Sequence, residues 1–368
     1  MKIGVLTSSR ADFGIYLPLL KPLQSDSYFD LEIIAFGTHL SKKHGHTVKE
    51  IKSNGFEVKH QIETMADSDS AVAISQSIGK TIETFATFWN SHSFDLVLAL
   101  GDRFEMFAAV TSGSPLGVTF GHIHAGETTL GAIDNAYRHS ISLMSKILFV
   151  TTEDYSNRAN EIIEEEQKVF NVGALSIDNL ENLELYDLNE FEDKFEIDLS
   201  KPSILSTFHP ETVSFENNET YIHELIKSFE IIQNDYQIII TMPNADTMGN
   251  MIREKLNAFG KNNPNVKLIE SFGMLGYLSC MKHCAFLLGN TSSGFVEASF
   301  FPKYVINLGD RQKGRMQSPN ILTIPITSNQ IIDAVKKVEN SSSLKNLHWY
   351  GIGNAAQKIV QTLKDLSI

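Results

Sequence analysis

Short runs of aliphatic and β-branched residues alternate along this chain with longer stretches whose apolar positions recur at helical spacing. In the N-terminal half the apolar runs are residues 3–7, 31–37, 95–100, 118–122, 147–151 and 169–172, each followed by a helical pattern. Runs that are apolar almost throughout mark strands buried on both faces, so the alternation predicts a parallel α/β sheet. The pattern stops near Leu175. From there to Pro202 the chain is rich in Asn, Asp, Glu and Leu without a strand period, which reads as an interdomain connection. A second set of runs follows at 204–208, 237–242, 266–269, 285–289, 304–307 and 321–326. A last amphipathic stretch at 354–366 is too polar for a core helix and is expected to dock back on the first half. No internal repeat or low-complexity tract interrupts this order.

A chain of 368 residues exceeds the length at which one core stops growing, so two domains are expected. The divisions are 1–176 and 177–350, with 351–368 packing back on the first. With 42% hydrophobic and 20% charged residues the composition is that of an ordinary globular protein. A formal net charge of −13 argues against nucleic acid or an anionic membrane as partner, since both require basic surface. It leaves open a small anion held by a local pocket of Arg. The chain begins directly on a strand without the segments of a signal peptide, and no stretch has the length of a membrane span. Cys280 and Cys284 lie four apart in an apolar helical stretch and read as reduced core thiols. A cytoplasmic location follows from these features.

Candidate chemistry concentrates between Leu96 and His139. Gly101-Asp-Arg-Phe-Glu105 follows one apolar run, His122-Ile-His-Ala-Gly-Glu127 follows the next, and Asp134 and Arg138-His139 come shortly after. In doubly wound sheets ligands bind beyond the carboxyl ends of strands, which is where Asp102, Glu127 and Asp134 fall. An Asp after a strand often only caps the next helix. Here Arg103 stands beside Asp102, and two more carboxylates arrive with two histidines, more ionisable chemistry than a helix start requires. His122 and His124, two apart on a strand, would share one face and could imitate metal ligands, but no third ligand stands at a recognisable spacing. No metal is expected.

The second half carries its own signal in Leu288-Gly-Asn-Thr-Ser-Ser-Gly-Phe-Val-Glu297, where a strand ends at Gly289 and a helix is expected from about Ser293. A helix N-terminus with its unpaired N–H groups suits a phosphate, and Ser292 and Ser293 add hydroxyl donors. His209 ends the first strand of this half, and Arg311 and Arg315 lie in a glycine-flanked loop; Arg is suited to bidentate phosphate contact. At the other end of the chain, Thr7-Ser-Ser-Arg10-Ala-Asp-Phe-Gly14 links the first strand to a helix. It lacks both the dinucleotide Gly-x-Gly-x-x-Gly spacing and a Walker lysine.

These segments together resemble the UDP-N-acetylglucosamine 2-epimerases, and among them the hydrolysing branch that serves sialic-acid and related nonulosonic-acid synthesis. The resemblance covers nearly the whole chain, in order, at 7–14, 37–41, 101–105, 122–127, 134–139, 208–210, 289–297 and 307–315. It implies a glycosyltransferase-B-like architecture of two Rossmann-like domains with parallel sheets, a nucleotide sugar in the cleft, no cofactor, and a homodimer or homotetramer. By that resemblance His209, Ser292 and Ser293 contact the diphosphate, Glu297 the ribose and Arg10 a phosphate. Asn244, Phe272, Asn290, Gly294 and Arg315 line the same substrate site, and Arg103, His122, His124, Arg138 and His139 lie on the sugar side. The implied reaction removes the C2 proton as UDP leaves C1, then hydrates the resulting 2-acetamidoglucal with inversion at C2, releasing N-acetylmannosamine from UDP-N-acetylglucosamine. A weakly acidic C2 hydrogen requires a carboxylate or similar base of raised pKa, for which Asp102, Glu127 and Asp134 are the candidates without a division of labour. One departure stands out. The non-hydrolysing branch carries a Glu where this chain has His124, which favours the hydrolysing reading and brings Glu127 into consideration. A 2,4-diacetamido-2,4,6-trideoxy sugar nucleotide is the alternative substrate. A retaining glycosyltransferase or a nucleotide-sugar sensor would share the fold without needing the clustered carboxylates.

Overall fold

A computed structural model describes residues 1–41, 45–65, 70–163, 168–213, 215–243, 248–345 and 348–366. It divides into two compact units. The first holds Met1–Glu127, Asp134–Asn182 and Tyr350–Ile368, and the second holds Thr128–Ile133 and Leu183–Trp349.

The first unit is built on seven strands: β1 (Lys2–Thr7), β2 (Asp30–Phe36), β3 (His60–Ile62), β4 (Leu96–Leu100), β5 (Phe120–Ile123), β6 (Ile147–Val150) and β7 (Lys168–Asn171). They lie in the order β3-β2-β1-β4-β5-β6-β7, and every pairing is parallel. The direction of winding reverses between β1 and β4, so the loops after these two strands diverge and open a crevice at their carboxyl ends. Residues 8–10 and 101–103 stand there. All five residues of β4 and all four of β5 are buried, which is why β4 is apolar throughout and β5 is apolar but for His122. Only β3 went unread in the apolar pattern: three residues at the sheet edge, His-Gln-Ile, bury too little to show one.

The second unit has six parallel strands: β8 (Ser203–Thr207), β9 (Gln237–Thr241), β10 (Val266–Ile269), β11 (Phe286–Gly289), β12 (Val305–Leu308) and β13 (Ile321–Ile324). Their order is β10-β9-β8-β11-β12-β13, so the winding reverses between β8 and β11. The loops carrying His209 and Asn290 follow those two strands. Ile204, Ile238, Ile240, Leu288 and Ile306 are fully buried in its core, each contributing about 1.5–3 kcal/mol relative to exposure. These two α/β units give the glycosyltransferase-B-like class expected from the sequence.

The stretch 175–202, expected as an irregular connection, is largely helical. Helices span Leu175–Asn182 and Leu188–Phe195. The second starts at a capping box in which Asp187 accepts from the Glu190 N–H and Glu190 answers to the Asp187 N–H. The C-terminal helix Ala355–Asp365 belongs to the first unit. Asp178 receives the N–H groups of Ala355 and Ala356 at 2.9 and 2.7 Å, and Tyr350 O accepts from Ala174 N at 2.8 Å. Among the described residues no helix is long and apolar enough to cross a membrane.

A carboxylate that receives the first amides of a helix acts as its cap. Asp178→Ala is therefore expected to lower the unfolding free energy by roughly 1–2 kcal/mol and to speed hydrogen exchange at the amides of Ala355 and Ala356. Unchanged exchange there would show that the cap is dispensable.

Candidate active site

At the switch point of the first sheet, β1 ends in Thr7 and runs into Ser8 and Ser9. The Asp12 carboxylate collects the N–H and hydroxyl of Ser8 at 2.9 and 2.6 Å and those of Ser9 at 3.1 and 2.9 Å. This web fixes the start of helix Arg10–Ser25, which begins with a half-buried Arg10. Gly37 packs against the same turn at φ +58°, and a Cβ there would stand 2.9 Å from Ser8 O. Beside it, His39 is held on both ring nitrogens by Thr7 Oγ1 at 2.9 Å and Thr47 Oγ1 at 2.8 Å.

Beyond β4 and β5 lies the ionisable cluster. Arg138 is 2% exposed and reaches from helix Asp134–Leu143. Its Nη2 pairs with Asp102, and its Nη1 donates to His124 O at 2.8 Å and lies 3.6 Å from Glu127 Oε2. Glu127 is 1% exposed; its Oε1 faces His124 Nδ1 at 3.2 Å and accepts from Thr151 Oγ1 at 3.3 Å. The Asp102 side chain retains 23% exposure. A buried guanidinium thus holds two carboxylates of different solvation. Asp134 is half-buried at the start of the helix that carries Arg138. His139 follows, half-buried, with its pKa lowered by burial and then by Arg138 and Arg158.

Three expectations change here. His122 is fully buried, with Nδ1 on Ser142 Oγ at 2.9 Å and Nε2 on Gly101 O at 2.8 Å. Both ring nitrogens are committed to holding the β4 loop, so this histidine serves the scaffold instead of substrate. His124 does not share its face. It lies past the end of β5 at φ +66°, where strand alternation no longer applies. Arg103, expected on the sugar, instead grips the fully buried Glu105 with a two-pronged contact at 3.0 and 3.2 Å. Burial pushes the Glu105 carboxyl up, and the guanidinium opposes that shift.

In the second unit β8 and β11 approach so closely that a Cβ on Gly289 would stand 2.1 Å from Thr207 O. Asn290 is fully buried, and its side chain bridges the backbone of His209, accepting its N–H at 2.7 Å and donating to its carbonyl at 2.8 Å. Gln312 Nε2 donates to Asn290 O at 2.8 Å, and Arg315 Nε donates to Gln312 Oε1 at 2.7 Å. Asn290 and Arg315 are therefore framework for the loop. The helix expected from Ser293 is absent: a single 3-10 turn covers Ser292–Gly294 and four helical residues follow at Glu297–Phe300, too short to sum a strong dipole. Ser292 is exposed, Ser293 is half-buried with its hydroxyl 2.6 Å from Tyr277 OH, and Glu297 is half-buried. Burial pushes the Tyr277 hydroxyl up to about 12. Phe272 packs its ring against Phe191 and Phe195 in the core. Asn244 lies outside the described residues.

The model of one family, described as UDP-N-acetylglucosamine 2-epimerase, matches residues 21–364. The chain belongs to that family. A relative from Campylobacter jejuni, named GDP/UDP-N,N'-diacetylbacillosamine 2-epimerase (hydrolyzing), is 35% identical over 94% of this chain and 89% of its own. Polysialic acid biosynthesis protein P7 of Escherichia coli is 33% identical over 91% of this chain and 85% of its own. The chain thereby falls in the hydrolysing branch of the 2-epimerase family. The UDP-GlcNAc 2-epimerase of Neisseria meningitidis, solved bound to UDP-GlcNAc, shares the fold with a TM-score of 0.83 across the whole of both chains at 21% identity.

Asp12, His39 and Glu105 lie within segments that carry the family resemblance but have no role assigned from sequence, and Glu211 falls outside those segments. Glu211 accepts the Asp310 N–H at 2.8 Å and steadies the loop after β12. Isolated ionisable residues carry no spacing signal, and only burial identifies them as groups that need partners.

Two expected outcomes follow. Asn290→Ala strands a buried N–H and a buried carbonyl on His209, so it should cost roughly 2–3 kcal/mol in denaturant unfolding; a loss below about 0.5 kcal/mol would contradict the clamp. Burial holds His122 down at about 3 and His39 at about 4. Both lie below the unfolded value of about 6.5, so the stability they confer is complete above that pH and is lost as pH falls through the folded values. Unfolding midpoints should drop between about pH 6.5 and 3, less steeply for His122→Gln, which has no imidazole to protonate. Equal slopes would refute the assignment.

Proposed function

We propose that the protein is a hydrolysing 2-epimerase of a UDP-linked 2-acetamido sugar. The observation that carries the reading is the buried Arg138 joining Asp102 to Glu127 at the carboxyl edge of the first sheet. A base takes the C2 proton, the C1–O bond breaks and UDP leaves with the bonding pair, giving a C1=C2 double bond. Water then adds with hydroxyl at C1 and a proton at the opposite face of C2, so free sugar is released with C2 inverted. Neither step transfers a hydride, and the residues required are proton donors and acceptors held away from bulk water. Asp102, Glu127 and Asp134 supply those functions, while His209, Ser292 and Ser293 of the second unit meet the UDP diphosphate, with Arg10 and Glu297 as further ligand contacts.

UDP-N,N'-diacetylbacillosamine is the substrate favoured by the Campylobacter relative, ahead of the UDP-N-acetylglucosamine to which the sequence resemblance gave first place. The second substrate, which would yield N-acetylmannosamine for sialic acid, is kept because the Escherichia coli relative is named for polysialic acid synthesis. A cytoplasmic homodimer completes the proposal.

Turnover on the two sugar nucleotides, with no acceptor added, separates the readings. Free UDP accompanied by a 2-epimerised sugar bearing solvent deuterium at C2 is expected. UDP release only with an acceptor would point to a glycosyltransferase, and tight binding without turnover to a sensor. Asp102→Asn, Glu127→Gln and Asp134→Asn should each lower turnover at least about 100-fold with little change in UDP affinity. Near-normal UDP release by all three would refute the assignment. Replacing Ser292 and Ser293 together by Ala, or His209→Ala, should weaken UDP binding by roughly 1–3 kcal/mol in calorimetric titration. Unchanged affinity in both would put the diphosphate elsewhere.

A further inference from the structure

Among the described residues, three buried histidines stand at the carboxyl edge of the first sheet, and their ring nitrogens differ. His39 is tied on both sides by threonine hydroxyls, and His122 by Ser142 and the Gly101 carbonyl. His124 is 9% exposed and is tied on one side only. Its Nδ1 faces Glu127 Oε1 at 3.2 Å, while its Nε2 is buried with no partner among the described residues. A carboxylate facing Nδ1 keeps the imidazole proton on that nitrogen, so in the neutral ring the lone pair is on Nε2. An unpartnered buried nitrogen costs free energy unless a ligand or water engages it. The ring is also held from behind. His124 adopts φ +66°, which is uncommon for a side chain of this size, and its carbonyl accepts from Arg138 Nη1 at 2.8 Å.

We infer that His124 is a catalytic residue, the base that accepts the C2 proton on Nε2, and that Glu127 is its positioning residue, which orients the ring and stabilises the imidazolium. The inference rests on the 2-epimerase reading and moves the C2 base from that carboxylate set to the histidine that Glu127 faces. In the step, the C2–H electrons become the C1=C2 double bond and the C1–O pair departs with UDP. The proton remains on Nε2 until it exchanges with solvent. The charged groups around the ring are Glu127 on its own loop, Arg138 from the helix, Asp102 paired to that arginine, and the neighbouring His122.

The test is chemical rescue, which a purely structural role would not show. His124→Gly suits the same backbone, since glycine adopts positive φ; it should lower kcat at least about 100-fold, and added imidazole should recover at least about ten-fold of that loss. Glu127→Gln, which leaves the ring without its orienting carboxylate, should lower kcat at least about 100-fold with little change in UDP affinity. A His124→Gly enzyme within about three-fold of wild type, or one that imidazole leaves unchanged, overturns the assignment. If His124→Gly does not fold, His124→Asn, which also tolerates positive φ, takes its place, and a rate within about three-fold of wild type overturns the assignment. A wild type that turns over neither sugar nucleotide sinks the epimerase reading itself, whereas an active wild type with an unrescued or unimpaired variant removes only the role of His124.

Discussion

The first unit depends on one buried cation. Arg138 is almost wholly enclosed, and a guanidinium in that position is tolerable only if carboxylates and carbonyls surround it. Asp102, Glu127 and the carbonyl of His124 meet that demand at Nη1 and Nη2, while the buried Nε has no partner among the described residues, and in doing so they are drawn from the ends of two strands and the turn that follows into one arrangement. The ion pair is therefore an organiser: it gathers groups that the chain separates by tens of residues, and it gives two carboxylates unequal access to water. Acid and base functions need that inequality.

The second unit reaches its geometry with neutral groups. Asn290 fixes the His209 backbone, Gln312 fixes Asn290, and the contact of β8 with β11 is so tight that only glycine fits at position 289. Such a network holds backbone amides and hydroxyls at set positions without introducing charge. Donors whose own partners are already in place need little further ordering before a ligand can engage them. The division of labour between units is chemical: ionisable side chains in one, a braced loop of hydroxyls and amides in the other.

The overall charge of −13 has little bearing on either arrangement. The cationic groups that matter, Arg138 above all, are buried beside their partners, where screening by salt is weak. Cys280 and Cys284 are buried free thiols whose ionisation burial opposes, and they serve as apolar core.

By itself the sequence determined the α/β class, the two sets of strands and the family resemblance, and it placed Asp102, Glu127 and Asp134 at one sheet edge, because strands buried on both faces are written as continuous apolar runs and loops after such strands form the ligand edge; the Arg138 pairing of the first two came only with the structure. It missed β3, which is too short and too near the sheet edge to carry that pattern. It missed the helices in the polar stretch after Leu175, and it overstated the helix after Ser293. Only the tertiary structure decided which ionisable groups face one another. His122 and His124 look equivalent at strand spacing, yet a left-handed turn at His124 and the hydrogen bonds of His122 give them different work. Arg103 and Phe272 were likewise taken up by a buried carboxylate and by aromatic neighbours. The reason is general: spacing along a chain reports which side of an element a residue occupies, whereas burial and partners depend on every other element packed against it.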